Sequence, residues 1–381
     1  MRAPSSSTRR ASFLSFQPPA VGEEEVAAAA EAIRSGWLTS GPRAAELERR
    51  AGELLEADHV LALSSGTAAL HLALLGVGVR PGDEVITTSL TWPATANVIV
   101  HCGATPVFAD VRPGDLNIDP ESARSLVGPK TKAILPVHLY GQPADLDPLL
   151  ELGPPVVEDA AHAFETRYRG RKIGALSAAA CFSLYATKNV AAGEGGLVAT
   201  NDAAVAQAVD DLRVMRRSHG SLYDIAVPGY KANLSDVLAA IALAQLDKLE
   251  RHRAVREAHF AAYDEAVAEL DGIDAVERDA RDTHAYHLYV VRIDAERAGA
   301  TRDDYQRALA EENIGTSVHF LPVHELSAYA TGGRLSRRQP PLPETERAGR
   351  EVLSLPLSPA HSAEDIRDAV EALRRVHERF T

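Results

Sequence analysis

Three short segments carry residues whose types and spacing could do chemistry. The first is Ser64-Ser65-Gly66-Thr67, which follows an apolar β-type run and opens a helical one. Free backbone N–H groups at a helix start, flanked by small side chains, suit an anion such as a phosphate. Gly66 would let the backbone approach that group closely. A plain Ser/Thr helix cap explains the same residues without any ligand. The second segment is Glu158-Asp159-Ala160-Ala161-His162, at the end of the run after Pro155. An acid there can cap the next helix, or it can face a cation such as a protonated ring nitrogen. The third is Ser183-Leu184-Tyr185-Ala186-Thr187-Lys188-Asn189, just ahead of Gly193-Glu194-Gly195-Gly196. Lysines are ordinarily surface residues. This one lies between a buried strand and a glycine-rich turn. A free lysine titrates near about 10.4, so a nucleophilic role requires desolvation or a covalent imine.

The elements that must position these residues follow from hydrophobic patterning. Helical stretches are expected at 21–35, stopped by Gly36, and from Pro42 to about residue 57. Beyond them, short apolar runs at 59–63, 84–88, 105–109, 133–137 and 156–158 alternate with helical stretches at 67–75 and 94–101. This alternation predicts an α/β fold, with a mostly parallel sheet sandwiched by helices. The runs at 179–184 and 196–200 have too short a connection for a parallel crossover, so they are antiparallel or not adjacent. A long helix is expected from 235 towards 270. Strands at 287–293 and 316–320, a helix at 302–312, a Gly- and Pro-rich loop (Gly332, Gly333, Pro340, Pro341, Pro343) and a closing helix at 363–380 complete a smaller C-terminal α+β domain. The expected division is a disordered tail at 1–16, a large domain at 17–250 and a small domain at 251–381.

Composition narrows the function further. The chain has 381 residues, 45% apolar and 24% charged, enough for a sizeable core. Forty Lys+Arg against 53 Asp+Glu give −13, which argues against a nucleic-acid partner. Any anionic ligand must therefore be held by local donors. Cys102 and Cys181 are the only cysteines, and no CxxC suggests zinc. A reducing cytoplasm fits that count. No run reaches the ~18 apolar residues of a membrane span. Arg9-Arg10 is not followed by the apolar stretch of an export signal. Asn233-Leu234-Ser235 matches a glycosylation sequon, which carries little weight without a signal peptide. There is no GxxxxGK[ST], and Gly76-Val77-Gly78 follows a helix, so a dinucleotide fingerprint has no support.

A phosphate cradle, an acid and a lysine, in that order on an α/β sheet, match the needs of pyridoxal 5′-phosphate: a Schiff-base lysine and an acid at the pyridine nitrogen. The motifs SSGTAALHLAL (64–74), GDEVIT (82–87), VHLYGQPAD (137–145), VEDAAHA (157–163), TKNVAAGEGG (187–196) and VHFLPVH (318–324) resemble those of the DegT/StrS-group sugar-nucleotide aminotransferases. These are fold-type I pyridoxal-phosphate enzymes, and the resemblance runs from about Gln17 to the end. PGYKANLSD (228–236) and HAYHLYVVRID (284–294) look most like the branch that aminates UDP-4-keto-arabinose.

The resemblance implies that Lys188 holds the cofactor covalently and moves the proton between the substrate and C4′. Asp159 would pair with the pyridinium, and His162 would lie near the ring or its phenolic oxygen. Trp92 would stack on the ring, although ordinary core packing also explains it. Gly66, Thr67, Ala68 and Ser183 would hold the phosphate, and Asn233 would reach it from a neighbouring subunit, which requires a homodimer. Lys231, His319 and His324 are the candidates on the sugar side; a histidine at a strand end is often only structural. Lys231-Ala232-Asn233 stands where many relatives read N-x-R, which leaves the role of Lys231 open. Arg213, Arg216 and Arg217 could meet a diphosphate or simply form a solvated helix face. The implied reaction passes an amino group from L-glutamate (or glutamine), through pyridoxamine phosphate, to a nucleotide-linked keto sugar. The best expectation is C4 of a 4-keto-6-deoxyhexose, with C3 keto sugars, a 4-keto pentose and cyclitol ketones as alternatives. Related dehydratases replace the lysine by histidine, so Lys188 argues against that chemistry. A non-catalytic regulator would need a fused DNA-binding module, for which there is no room.

Overall fold

The computed structural model describes residues 9–174, 176–215, 224–330 and 341–381. Its larger unit is built on strands β1 (His59–Leu63), β2 (Glu84–Thr88), β3 (Thr105–Ala109), β4 (Thr131–Leu135), β5 (Val157–Asp159), β6 (Ala179–Ser183) and β7 (Gly196–Thr200). Strand β2 pairs in parallel with β3 and β4, and β5 pairs in parallel with β6. Parallel bridges Ile134–Val156 and Val137–Asp159 join the two groups, with the Asp159 N–H donating to Pro136 O at 2.8 Å. The order is therefore β3-β2-β4-β5-β6-β7-β1, and only β7 runs against its neighbours. Of the two expected arrangements of β6 and β7, antiparallel or not adjacent, the antiparallel pairing is present. It keeps their connection, and Lys188 within it, at the edge of the sheet where β1 and β5 also end.

Helices cover both faces. They include α1 (Glu23–Arg34), α2 (Pro42–Leu55), α3 (Gly66–Gly76), α4 (Ala94–His101), α5 (Pro120–Leu126), α6 (Leu146–Leu150), α7 (Ala203–Val214) and α8 (Asp236–Leu246). Side-chain caps start several of them: Ser65 for α3, Asp119 for α5, Asp202 for α7 and Ser235 for α8. One core, with Leu47, Leu55, Phe182 and Leu243, lies under α2 and α8. Another, with Leu63, Leu72, Leu74 and Val198, lies under α3.

The smaller unit has α9 (Leu249–Val267), α10 (Arg302–Glu311), α11 (Pro343–Glu351) and α12 (Ala363–Phe380) around an antiparallel sheet of β8 (Ile273–Ala275), β9 (Tyr289–Ile293) and β10 (Val352–Leu355). Its core gathers Tyr263, Tyr289, Tyr305, Leu309 and Leu373.

Four expectations change. The helix from 235 is two helices, broken at Asp247-Lys248, because the bend places the Lys248 ammonium 2.8 Å from buried Glu25. The expectation of a disordered segment does not hold at Leu14. Residues 1–8 lie outside the described residues, but Leu14 is buried in the small-unit core and its N–H donates to Asn313 O at 2.8 Å. Residues 316–320 form no strand; only Ser317 bridges to Ser354 of β10. Of the expected proline loop, Pro343 instead starts α11, where a missing N–H costs nothing.

Lys248 and Glu25 are nearly buried, with 8% and 5% of their side chains exposed. Lys248→Met strands the carboxylate, and urea unfolding is expected to show a loss of about 3–5 kcal/mol. Adding Glu25→Gln should recover much of it; no loss in the single variant would refute a structural role for the pair.

Candidate active site

The ends of β1, β5 and β6 bring the three sequence segments together. Close approach fixes the phosphate-type cradle. A Cβ on Gly66 would lie 2.9 Å from Ser183 Cβ, and one on Gly196 would lie 2.4 Å from Ser65 O. Only glycine fits at either position. Ser65 Oγ accepts the Ala68 N–H at 3.1 Å, and Ser65 O accepts that of Ala69 at 3.0 Å. The Ala68 amide thus has the Ser65 hydroxyl as its partner. The Gly66 and Thr67 amides have no partner among the described residues, and they open α3 beside Ser183. Ser183 Oγ accepts the Tyr185 N–H at 3.3 Å.

Asp159 ends β5 and is buried. Its Oδ2 accepts from Thr95 Oγ1 at 2.7 Å and its Oδ1 from the Ala161 N–H at 3.2 Å. Thr95 Oγ1 lies 2.9 Å from Thr91 Oγ1. Since Thr95 donates to Asp159, it accepts from Thr91. Burial raises the Asp159 pKa; the Thr95 and Ala161 hydrogen bonds, then the Lys188 charge, oppose that shift. Neighbouring Glu158 serves elsewhere: its Oε2 lies 2.6 Å from His138 Nε2, and its Oε1 accepts from Ser177 Oγ at 2.6 Å. Strand alternation separates the two acids, so Asp159 is the one available to a cation.

Lys188 follows β6 in a turn closed by its own N–H on Tyr185 O at 2.8 Å. Burial pulls its pKa down to about 8, against the attraction of Asp159. At that pKa only about a tenth of the amine is unprotonated at pH 7, still far more than at an exposed lysine. His162 Nδ1 accepts the Tyr140 N–H at 3.3 Å, which leaves the ring proton on Nε2. Burial, then Lys188 and His319, hold its pKa well below the usual histidine value. It is a neutral donor. Trp92 is 64% exposed, which removes core packing within the chain as its explanation. Its ring lies 6.2 Å from that of Phe320, which lies 6.1 Å from His162.

The other expected residues diverge. His319 is in the cluster: burial first, then Lys188, lowers its pKa to about 4. Its Nδ1 lies 2.8 Å from Ser354 Oγ, and its carbonyl accepts from the Tyr140 hydroxyl. His324 is an anchor instead. Its N–H donates to Ser89 Oγ at 3.0 Å, and its Nδ1 lies 2.7 Å from the same hydroxyl, which docks its turn onto the end of β2. Asn233 bridges to Leu63 of its own chain, and its Nδ2 donates to Ser40 Oγ at 2.5 Å. Exposed Lys231 donates to Asn233 Oδ1 at 2.5 Å. Arg213 pairs with Glu48 and Asp210 in the large unit, so it is not a free diphosphate ligand. Arg216 and Arg217 lie outside the described residues.

Sequence reasoning missed Thr95, Tyr140, Asn189, His287 and Phe320. Tyr140, Asn189, His287 and Phe320 lie inside the motifs quoted above without a role being assigned to them, and for Thr95 the local signal was Thr91 one helical turn away. The site fits pyridoxal phosphate by its own chemistry: a glycine-walled cradle whose Gly66 and Thr67 amides have no partner among the described residues, a buried carboxylate, and a desolvated amine.

Comparison with known proteins agrees. The model of the DegT/DnrJ/EryC1/StrS aminotransferase family matches residues 19–374. The chain is 42% identical over 388 aligned residues to the spore coat polysaccharide biosynthesis protein SpsC of Bacillus subtilis (strain 168), covering 97% of this chain and 98% of that protein. DesV of S. venezuelae, solved in complex with a ketimine intermediate, is 36% identical with a TM-score of 0.87, covering 94% of this chain and 95% of that one. Spr1654 of Streptococcus pneumoniae, solved in a PLP form, is 29% identical with a TM-score of 0.90, covering 97% and 100%. It has also been solved in a PMP form. The fold and its cleft define a fold-type I aminotransferase of sugars. The chain belongs to the DegT/DnrJ/EryC1/StrS aminotransferase family.

Thr95→Val keeps the side-chain shape and deletes the donor to Asp159. The Asp159 pKa, already raised by burial, should rise further, so the carboxylate is lost at a higher pH on acidification. The acid limb of the kcat/KM profile is expected to move up by about one pH unit. An unmoved limb would remove Thr95 from the support of Asp159.

Proposed function

We propose that the chain binds pyridoxal 5′-phosphate and transfers an amino group from L-glutamate to C4 of a nucleotide-linked 4-keto-6-deoxyhexose. The observation that carries this reading is the desolvated Lys188 amine set against buried Asp159 at one sheet edge. When bound, the cofactor supplies an electron sink conjugated to the substrate carbon. The Gly66 and Thr67 amides and Ser183 hold its phosphate, and Trp92 covers the ring. Asp159 keeps its charge against the ring nitrogen. His162 offers its Nε2 proton to the phenolic oxygen. Lys188 Nζ attaches the cofactor between turnovers. It takes the proton from the donor's α-carbon and, in the second half of the cycle, returns one to C4 of the sugar. His319 borders the sugar side through its carbonyl and ring.

The assembly proposed is a homodimer with shared sites, in which Asn233 and Lys231 lie close to the partner's cleft. Exposed Trp37, Leu38, Ile225 and Tyr230 supply apolar surface for such a contact. The two free, buried thiols fit a reducing cytoplasm. No described helix is long and apolar enough to cross a membrane.

Borohydride reduction of the yellow protein should fix the cofactor to the peptide containing Lys188. Lys188→Ala should be colourless, with kcat lowered by about a thousandfold. A label on another side chain would overturn the reading. A panel of nucleotide keto sugars with L-glutamate, followed by NMR, is expected to show nitrogen at C4. Nitrogen at C3, or on a free cyclitol, would refute the substrate but not the reaction.

For the shared site, mixing inactive Lys188→Ala and Asn233→Ala chains should restore one intact site per heterodimer. No recovery after demonstrated subunit exchange would refute it.

A further inference from the structure

A buried polar cluster next to the cleft has no part in the chemistry above. Arg256, on α9 of the small unit, is 2% exposed and pairs with Glu165, which is 6% exposed. Glu165 Oε2 also accepts from Asn189 Nδ2 at 2.9 Å. The same Nδ2 donates to Ala285 O at 2.9 Å. With its nitrogen donating twice, Asn189 presents Oδ1 as an acceptor, 2.9 Å from His287 Nδ1. His287 therefore carries its proton on Nδ1. Its ring lies 4.4 Å from that of His162, tilted by 32°. A chain of contacts thus runs from α9 through Glu165 and Asn189 to His162, and Asn189 is the residue after Lys188.

Stability does not explain this cluster. Replacing a buried ion pair by apolar side chains is often neutral or stabilising. The pair is also incompletely built, since Arg256 Nε and Nη1 have no hydrogen-bond partner among the described residues. What an apolar replacement could not do is orient an amide. A carboxylate at Glu165 accepts only from the nitrogen end of Asn189; burial raises the Glu165 pKa, and the Arg256 charge, then the Asn189 hydrogen bond, oppose that shift. That fixes which end of Asn189 meets His287.

We propose that Asn189, oriented by the Glu165–Arg256 pair, is a positioning residue that holds the Lys188 turn and the His287–His162 stack in register. Because Arg256 and the Ala285–His287 segment come from beyond the domain joint, the same contacts tie the seating of the small unit to the lysine. The inference rests on the reading of Lys188 as the attachment point.

The test measures the pH midpoint of covalent cofactor attachment at Lys188 in the full-length protein, trapped with borohydride and located by peptide mass mapping. Asp159, His162, His287 and His319 are coupled electrostatically to that amine, and His252 and Arg256 line the small cavity beside it; none of these is altered. Asn189→Leu keeps the size and removes every hydrogen bond. As the turn loosens and Nζ gains water, the midpoint should rise by about half a pH unit or more. The half-reaction with L-glutamate, followed by absorbance, should slow by about tenfold or more. Glu165→Gln, which keeps shape and an acceptor but loses the charge, should shift the midpoint in the same direction by less, and it serves if Asn189→Leu does not fold. Lys248→Met is the control: another broken buried pair, with no hydrogen bond to Lys188 or Asn189, expected to leave the midpoint in place. A wild-type midpoint and rate in folded Asn189→Leu and Glu165→Gln would overturn the proposal alone. So would an equal shift in Lys248→Met, which would mark general loosening. No attachment at Lys188 in the wild type would overturn the reading of that lysine and this inference with it.

Discussion

A lysine amine out of water, facing a buried carboxylate, is the interaction on which the rest of this structure depends. Desolvation alone would drive Lys188 to neutrality and Asp159 to protonation. Each moderates the other, and Thr95 and the Ala161 amide add hydrogen bonds that favour the carboxylate. The result is one charged acceptor and one amine that can lose its proton near neutral pH. A lysine this easily deprotonated does not survive on a surface, so Lys188 needs a place near the strand ends deep enough to exclude solvent.

The sheet meets that need through one reversed strand. Had β7 run parallel to β6, the connection carrying Lys188 would have crossed a face of the sheet and left the edge where Asp159 ends. Running antiparallel, it turns back within a glycine-rich loop. Gly66 and Gly196 then let the start of α3, β6 and β7 approach closer than any side chain permits. From the other side, the small unit brings Phe320 and His319, held by the Tyr140 hydroxyl, and the described N-terminal segment is part of that unit's core. The net charge of −13 plays no part in this; local amides and burial decide which ions the cleft accepts.

Many polar residues that look available in the sequence are committed to structure. Glu158 is held by His138 and Ser177, Arg213 by Glu48 and Asp210, and His324 by Ser89. Thr95, with no motif of its own, donates to Asp159, and Asn189, a motif residue given no role there, joins Glu165 to His287. A residue type in a motif gives a capacity. Which partner takes up that capacity is decided by chains that meet across the fold.

The local pattern therefore determined much of this protein. Strands 59–63, 84–88, 105–109 and 196–200, helices 94–101 and 363–380, and the three chemical segments all follow from short-range periodicity, caps and glycines. Apolar alternation and turn chemistry act over a few residues, and a single chain displays them directly. What only tertiary structure decided lies at long range. The break at Lys248 depends on Glu25, more than two hundred residues earlier. β10 is a short run with no strand signal until β9 pairs with it, and Leu14 is core only because the small unit receives it. The choice of Asp159 over Glu158, the tautomer of His162 and the depressed pKa of Lys188 come from burial and from partners brought together by the sheet. Desolvation and hydrogen-bond geometry depend on what surrounds a group in space, and sequence spacing does not carry that information.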